Sequence, residues 1–472
     1  MAIRHRAALT ALLTTAFTVA LATALTAALA GCGFDAGPSG TRPQTLPYGE
    51  RAPELGGADL SGQLRRMLTV SRAPGGAVLV RAAGRTRYTA AGASDVGSGR
   101  GVRRADHFRG GSLTKTFVAT VVLQLAAEDR LGLDDRVRRH LPGVLGGPSA
   151  QGRGDDDGDG VRMDAGHGGS GHTDDGHTAG GSADSGHTSD GNAGDERPGS
   201  ASANGAHTDS RNITIRQLLN HTSGLFDYTG DRTLARELFG EGFARHRFDT
   251  RTPEALVRTA LAHPPAFAPP GTGWRYSNTD YVLLGMVIEK VTGHGYADEI
   301  RRRIIKPLRL RGTSFPGTRS TLPAPHGRAY TATGGGAPRD VTELNPSSAG
   351  AAGEVVSTLD DLTRFYGALL GGEVLGARQL KLMLDTTGTY DQYGMGLFPI
   401  PLACGILWGH NGVINGSSAL VVSNRTGRHV LAYRLNTDTG AGPQAERALL
   451  RAEFCEPGDA AAPPTRSTRR NG

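Results

Sequence analysis

A serine and a lysine stand three residues apart at Ser112 and Lys115, directly after two glycines. The stretch 114–129 is apolar enough to form a helix, and residues three apart on a helix share one face. A serine hydroxyl becomes a nucleophile when a base takes its proton, which a desolvated amine can do and a guanidinium cannot. The positive end of the helix would also stabilise the developing alkoxide. The pair is a candidate nucleophile and base, although a capping serine with a surface lysine has the same spacing.

The use of lysine in this chain supports the catalytic interpretation. The 52 basic residues include only four lysines, namely Lys115, Lys290, Lys306 and Lys381. Arginine therefore serves wherever a bare positive charge is enough. A lysine beside a serine indicates chemistry that needs an amine able to lose its proton.

Two further groups of residues could complete such a site. Tyr276 and Asn278 precede a predicted helix; a phenol can relay a proton to a leaving group, and a carboxamide can hold a substrate amide and a lysine. His410 and Gly412 lie in a strand-like segment. There the imidazole would supply a hydrogen bond or a positive charge, and the glycine would let a substrate backbone approach the strand edge. A lone histidine is more often structural, so His410 gains weight only as a member of the set.

Strands near both ends of the chain and helices between them must position these groups. Short apolar runs at 76–83 and 86–91 predict one hairpin, and runs at 418–423 and 429–435 predict another. Helices are predicted at 114–129, 252–262, 280–292, 358–370 and 444–454. The pattern indicates an α/β protein of the α+β sandwich type, with one antiparallel sheet of N- and C-terminal strands, flanking helices and a mostly helical subdomain.

The composition is that of a globular protein with unfolded parts. Hydrophobic residues make up 38% of the 472 residues, but 70 Gly and 25 Pro are too many for a uniformly packed chain. The net charge of +7 is spread along the chain without a basic run interleaved with aromatics, which argues against a nucleic-acid partner. Residues 146–210 are rich in Gly, Asp, Ser and His, so we expect a disordered insertion there.

Two kinds of metal site could be read into this insertion. Its histidines could bind zinc or nickel loosely, and Asp155, Asp157 and Asp159 match the first positions of a calcium loop. Gly166 stands where that loop needs its bidentate carboxylate. We therefore expect a solvated segment, with no metal and no cofactor.

The first 31 residues indicate export. Arg4 and Arg6 precede an uncharged run rich in Ala, Leu and Thr that ends at Ala30. Small residues before Cys32 resemble a bacterial lipobox, so an acylated Cys32 would hold the protein on the membrane surface outside the cytoplasm. An ordinary secretory signal cut near Ala30 is the alternative.

The remaining chain divides into a tether at 32–57, a folded domain at 58–455 and a disordered tail at 456–472. If lipid occupies Cys32, then Cys404 and Cys455 remain as an even pair in an oxidising compartment. A disulfide between them and two buried free thiols are the two possibilities.

Taken in order along the chain, the three groups resemble the active-site elements of the serine beta-lactamase and penicillin-binding D,D-peptidase superfamily. These groups are Ser112-x-x-Lys115, Tyr276-x-Asn278 and His410-x-Gly412. Further stretches at 218–225, 307–310 and 352–358 resemble the branch that holds class C beta-lactamases and actinomycete D-alanyl-D-alanine carboxypeptidases. The cysteine pair is similar to the disulfide of those carboxypeptidases. We interpret His221, in the first of these stretches, as a loop-forming residue.

The resemblance implies a beta-lactamase/transpeptidase-like fold and acyl transfer through an acyl-enzyme. Ser112 would attack an amide or lactam carbonyl while Lys115 and Tyr276 handle protons, and water would release the product. The backbone amides of Ser112 and of the strand after His410 would form the oxyanion hole. A histidine at 410, where typical class C lactamases have lysine, favours a peptidase or esterase.

Two departures from the family pattern concern the substrate. The carboxypeptidases have an arginine shortly before the third element that grips the terminal carboxylate, but residues 392–407 contain no Arg or Lys. They also have a hydroxyl residue after the final glycine, where Val413 follows Gly412 at the expected substrate-binding edge. Both changes weaken the recognition of a free carboxylate.

The sequence therefore predicts a membrane-anchored, D-alanyl-D-alanine carboxypeptidase-like serine hydrolase. It would act on cell-wall peptides or related D-amino-acid amides and bind penicillin. An esterase or a beta-lactamase on the same residues is the enzymatic alternative. A non-catalytic envelope-binding lipoprotein is an alternative of another class, disfavoured because Ser112, Lys115 and Tyr276 are all intact.

Overall fold

The computed structural model describes residues 59–146, 210–331 and 338–456. The predicted signal peptide, the tether with Cys32, residues 147–209 of the insertion and residues 457–472 of the tail lie outside the described residues. Within the described ranges, no helix has the length and apolar character needed to cross a membrane.

The strands of the central sheet come from both ends of the chain. They are β1 (Gly75–Ala82), β2 (Arg85–Asp95), β3 (Arg100–Gly101), β8 (Phe398–Leu402), β9 (Gly405–Ile414), β10 (Ser417–Ser423) and β11 (His429–Leu435). Their order is β3-β2-β1-β11-β10-β9-β8, with antiparallel pairs throughout. N-terminal β1 pairs with C-terminal β11, from Gly76 opposite Leu435 to Ala82 opposite His429. The predicted antiparallel sheet and both predicted hairpins are confirmed.

Helices occupy the rest of the fold. Those of the described residues are α1 (Leu60–Ser71), α2 (Thr114–Ala127), α3 (Val137–His140), α4 (Ile215–Leu219), α5 (Arg232–Leu238), α6 (Phe243–His246), α7 (Pro253–Leu261), α8 (Asn278–Thr292), α9 (Tyr296–Ile300), α10 (Gly350–Gly353), α11 (Leu359–Leu370), α12 (Ala377–Met383) and α13 (Pro443–Phe454). All five helices expected from sequence are present, with ends shifted by up to two residues. Helix α1 was not predicted.

The sheet separates two apolar cores. Successive side chains of a strand point to opposite faces, so Ala77 and Leu79 of β1 join one core while Val78 and Val80 join the other. The terminal helices α1 and α13 close the core of Val78 and Val80. The larger core lies between the opposite face and the helical middle of the chain, as the amphipathic patterns require.

Helix α2 lies at the centre of the larger core. Its side chains Phe117, Val121 and Leu125 have no exposed surface, and a helix that is apolar on all sides is stable only when it is enclosed. Strand β4 (Phe108–Gly111), which pairs with β7 (Val355–Ser357), leads directly into this helix. The catalytic candidates at the start of α2 are therefore fixed by a largely buried helix. A further short pair joins β5 (Tyr330–Thr331) and β6 (Arg339–Asp340).

A disulfide joins Cys404 and Cys455. It connects the turn between β8 and β9 with the residue that follows α13. Of the two possibilities left by the cysteine count, the structure contains the bridged one. The cross-link fixes the edge hairpin of the sheet to the last helix.

The chain segments on either side of residues 147–209 are hydrogen-bonded to each other. Val137 N–H donates to Ile213 O at 2.8 Å, and Ile215 N–H donates to Asp135 O at 3.1 Å. Closer to residues 147–209, the Ser210 hydroxyl donates to the carbonyl of Leu145 at 3.2 Å. The folded domain is therefore continuous across the two flanks of this stretch.

Candidate active site

Ser112 occupies the turn between β4 and α2. Gly111 has a φ of +54°, a left-handed conformation that a residue with a Cβ rarely adopts. The Thr114 hydroxyl donates to Gly111 O at 2.8 Å and accepts from Val355 N–H at 2.9 Å, which ties the turn to β7. The nucleophile candidate is thus held on a well-anchored turn, which a glycine makes possible, at the amino end of a buried helix.

Lys115 is fully buried and faces Ser112. Its Nζ lies 3.3 Å from Ser112 Oγ, 2.7 Å from Asn278 Oδ1 and 2.7 Å from Ala352 O. Burial lowers the pKa of Lys115 to about 7, although the nearby carboxyl groups of Asp227 and Asp280 oppose the shift. A neutral amine has two N–H groups, which Asn278 and Ala352 accept. Its lone pair is then available to the proton of Ser112.

Tyr276 contacts the same oxygen, and its ring lies 4.8 Å from Lys115 Nζ. Its phenol donates a hydrogen bond of 2.9 Å to Ser112 Oγ. Burial raises the pKa of Tyr276 above its ordinary value, so the phenol keeps its proton at physiological pH. Of the two proton-handling groups, Lys115 is therefore the one suited to be the base, and Tyr276 is suited to donate.

Asp227 fixes the orientation of Asn278. The Asn278 Nδ2 donates to Asp227 Oδ2 at 2.9 Å, and a carboxylate can only accept. This partner turns the amide so that Oδ1 faces Lys115. Sequence analysis missed Asp227, which also accepts from Thr229 N–H and the Thr229 hydroxyl. An aspartate followed two residues later by threonine is a turn signal that could have singled it out.

His410 is buried next to Tyr393, whose ring lies 6.3 Å from that of Tyr276. Its side chain is 1% exposed; Nδ1 donates to Asn411 O at 2.5 Å and Nε2 accepts from the Tyr393 hydroxyl at 2.8 Å. Burial lowers the pKa of His410 to about 3, so the imidazole is neutral. The positive charge considered for His410 is thus corrected, and its hydrogen bonds lead to Tyr393.

Gly412 has a packing role in the structure, and its predicted contact with a substrate backbone stays a prediction. A Cβ on Gly412 would lie 1.8 Å from Gly110 O and 3.1 Å from Ser112 N, so this glycine allows β9 to pack against the turn that carries Ser112. The Val413 backbone nitrogen stands 2.8 Å from the place of a Cβ on Gly111. The amides of Ser112 and Val413 are therefore neighbours, as an oxyanion hole requires.

His221 holds the backbone on both sides of Tyr276. Its carbonyl accepts from Arg275 N–H at 3.0 Å, its Nδ1 lies 2.8 Å from Asp280 Oδ2 and 3.3 Å from the backbone nitrogen of Ser277, and its ring lies 4.4 Å from the Tyr276 ring. Burial, and then the charge of Lys115, lower the pKa of His221 well below its usual value. A φ of +62° agrees with the loop-forming role expected for His221. The contacts add a second role, which is to position the phenol.

We expect His221→Asn to reduce the turnover of an activated ester by about 10- to 100-fold with little change in KM, because a misplaced proton donor loses this much of its effect. Asparagine tolerates the left-handed backbone. The measurement is a double-mutant cycle with Tyr276→Phe. In the Tyr276→Phe background, His221→Asn should change the turnover by less than about threefold. His263→Asn, which removes a histidine stacked on Phe226, serves as control. Equal losses in both backgrounds would contradict a role through Tyr276.

Known proteins resemble this chain both in sequence and in fold. Residues 63–456 match the family model described as Beta-lactamase. The crystal structure of a D-stereospecific amidohydrolase from Streptomyces sp. is 38% identical, with a TM-score of 0.64, over 84% of this chain and 99% of that one. Penicillin-binding protein 4 of Amycolatopsis lactamdurans is 28% identical over 360 residues, which are 72% of this chain and 71% of that protein.

A shorter match, 39% identical over 103 residues, covers 21% of this chain and 21% of penicillin-binding protein 4* of Bacillus subtilis (strain 168). The match to the Beta-lactamase model extends over most of the chain and includes all three groups of residues singled out from the sequence. The fold, with its large antiparallel sheet and flanking helices, agrees with that of the amidohydrolase. The chain therefore belongs to the Beta-lactamase family, within the superfamily of serine beta-lactamases and D,D-peptidases.

Proposed function

We propose that the protein hydrolyses the amide bond of D-amino-acid derivatives through an acyl-enzyme on Ser112. One observation carries this proposal: Ser112 Oγ lies within hydrogen-bond distance of both a buried amine, Lys115 at 3.3 Å, and a protonated phenol, Tyr276 at 2.9 Å. A base and a proton donor beside one hydroxyl are what nucleophilic attack and leaving-group departure require.

In the first half-reaction Ser112 Oγ bonds to the amide carbon while its proton passes to Lys115. The negative charge on the carbonyl oxygen would be held by the N–H groups of Ser112 and Val413. The C–N bond then breaks as the departing nitrogen takes a proton from Tyr276, which is replenished from Lys115. In the second half-reaction water attacks the ester carbon and loses a proton to Lys115. The C–O bond then breaks, and that proton passes to Ser112 Oγ as the acid is released.

Three features favour a substrate whose leaving group lacks a carboxylate. His410 is neutral, residues 392–407 contain no Arg or Lys, and Val413 replaces a hydroxyl residue. A terminal carboxylate would lose its solvation there without gaining a charge partner. The likeness to a D-stereospecific amidohydrolase at 38% identity supports an amide of a D-amino acid as the substrate. We therefore place the carboxypeptidase reaction second.

The test compares two substrates on the purified protein. We expect D-phenylalanine amide to be hydrolysed with a kcat/KM at least about tenfold above that of an acylated D-alanyl-D-alanine peptide, because an unpaired buried charge costs more than one factor of ten. L-Phenylalanine amide is the control for stereochemistry. Preference for the peptide would restore the carboxypeptidase assignment, and failure to hydrolyse any of the three would overturn the proposed function.

A further inference from the structure

Asp227 brings a carboxylate to the edge of the catalytic network. It stands on the side of Asn278 opposite Lys115, joined to the amide nitrogen at 2.9 Å, while Lys115 Nζ contacts the amide oxygen at 2.7 Å. Like Ser112 and Asn278, it is partly exposed. Only the side chain of Asn278 therefore separates this carboxylate from the catalytic amine, and the residue retains some exposed surface.

The hydrogen bonds of Asp227 leave room for one more donor. A carboxylate has about four acceptor positions, two on each oxygen. Oδ1 receives Thr229 N–H at 3.0 Å and the Thr229 hydroxyl at 2.8 Å, whereas Oδ2 receives Asn278 Nδ2. The free position is on Oδ2, the oxygen next to the amide that borders the reaction centre.

The charges of the site also favour a positively charged substrate group. In its base form Lys115 is neutral, and His410 is neutral as well. Among the described residues, the hydrogen-bond partners of the Asp227 side chain are then Thr229 and Asn278, which are uncharged. An ammonium group would supply both the missing charge and a donor for Oδ2.

We infer that Asp227 binds the free α-ammonium group of the substrate, so that the enzyme prefers amino-acid amides whose amino group is unblocked. The α-nitrogen of such a substrate is two bonds from the carbonyl carbon that Ser112 attacks. It would lie on the side of the acyl group that Asn278 contacts. This inference rests on the proposed function, because it assigns the acyl part of the same substrate.

The test compares D-phenylalanine amide with N-acetyl-D-phenylalanine amide, which has the same reacting bond and no ammonium. We expect the wild-type protein to favour the free amine in kcat/KM by roughly 10- to 100-fold, the range for a hydrogen bond between charged groups. In Asp227→Asn the ratio should fall to within about threefold of unity. Both substrates should also lose activity, because an amide offers one acceptor oxygen where the carboxylate offers two, to Thr229 and to Asn278.

The ratio separates recognition from positioning. A purely positioning role for Asp227 would lower both activities and leave the ratio unchanged, which would overturn the inference. No preference in the wild type would overturn it too. Asp231→Asn is the matched control, since Asp231 caps the next helix by accepting from Leu234 N–H and should leave the ratio as it is.

A binding measurement keeps this inference distinct from the proposed function. In Ser112→Ala, calorimetry should show tighter binding of D-phenylalanine amide than of its N-acetyl form, and Asp227→Asn in that background should remove the difference. Asp227-dependent binding without hydrolysis by the wild type would reject the proposed reaction and retain the ammonium site. Hydrolysis of both amides without a preference would retain the proposed reaction and reject the ammonium site.

Discussion

Ser112→Ala should lower kcat/KM for D-phenylalanine amide by at least about 10⁴-fold, the scale on which loss of a nucleophile acts in serine hydrolases. It should also abolish the mass increase that we expect when the wild-type protein is incubated with benzylpenicillin. The reason is that Ser112 Oγ is the atom to which both Lys115 Nζ and the Tyr276 phenol are directed. The measurements are steady-state hydrolysis and intact-protein mass spectrometry.

The variant should remain folded. Lys115 keeps Asn278 and Ala352 as partners after the hydroxyl is removed, and the turn keeps the hydrogen bonds of Thr114. Ser98→Ala, on an exposed turn, is the control and should behave as the wild type. A penicillin adduct that persists in Ser112→Ala, or that maps to another residue, would show that the nucleophile has been misassigned.

Lys115→Met should slow acylation by an activated ester by about 10³-fold, within the range for loss of a general base. Lys115→Arg should be no better, because a guanidinium retains its proton and cannot serve as the base. Stopped-flow measurement of the acylation rate with the two variants separates the need for a positive charge from the need for a base. Lys290→Met, at an exposed position of α8, is the control.

The pH dependence of acylation provides the second part of this prediction. Lys115 has a pKa of about 7 and is active when neutral, so the rate should rise with pH through a midpoint near 7 and fall on acidification. The raised pKa of Tyr276 predicts no loss of the phenol proton up to pH 10. In Lys115→Met the acylation rate should no longer rise with pH near 7. A rise that persists in this variant would assign the titration to another group.

The sequence was sufficient to predict the elements that depend on local patterns. Helix 280–292 was predicted because its apolar periodicity is visible within the segment, and it is observed as Asn278–Thr292. The grouping of Ser112, Lys115, Tyr276 and Asn278 followed from residue types whose chemistry is complementary. The structure places these four in one hydrogen-bonded network, as that complementarity requires.

What the sequence could not supply depends on contacts between distant segments. The charge of His410 is set by enclosure against Tyr393, and the need for Gly412 comes from the carbonyl of Gly110, some 300 residues earlier. The link from Asp227 to Asn278 likewise joins a loop to the first residue of α8, some 50 residues later. Such effects require knowledge of which residues meet in space, because they arise from contacts between segments that are far apart in the sequence.

Residues 135–137 are hydrogen-bonded to residues 213–215, so the chain between these two segments is a suitable site for insertions and deletions. The free energy of closing a flexible connection rises by only about 0.6 kcal/mol for each doubling of its length. Evolution or protein engineering can therefore lengthen, shorten or exchange what joins the two flanks. We expect a reporter or affinity module inserted there to leave the hydrogen bonds between the two flanks intact.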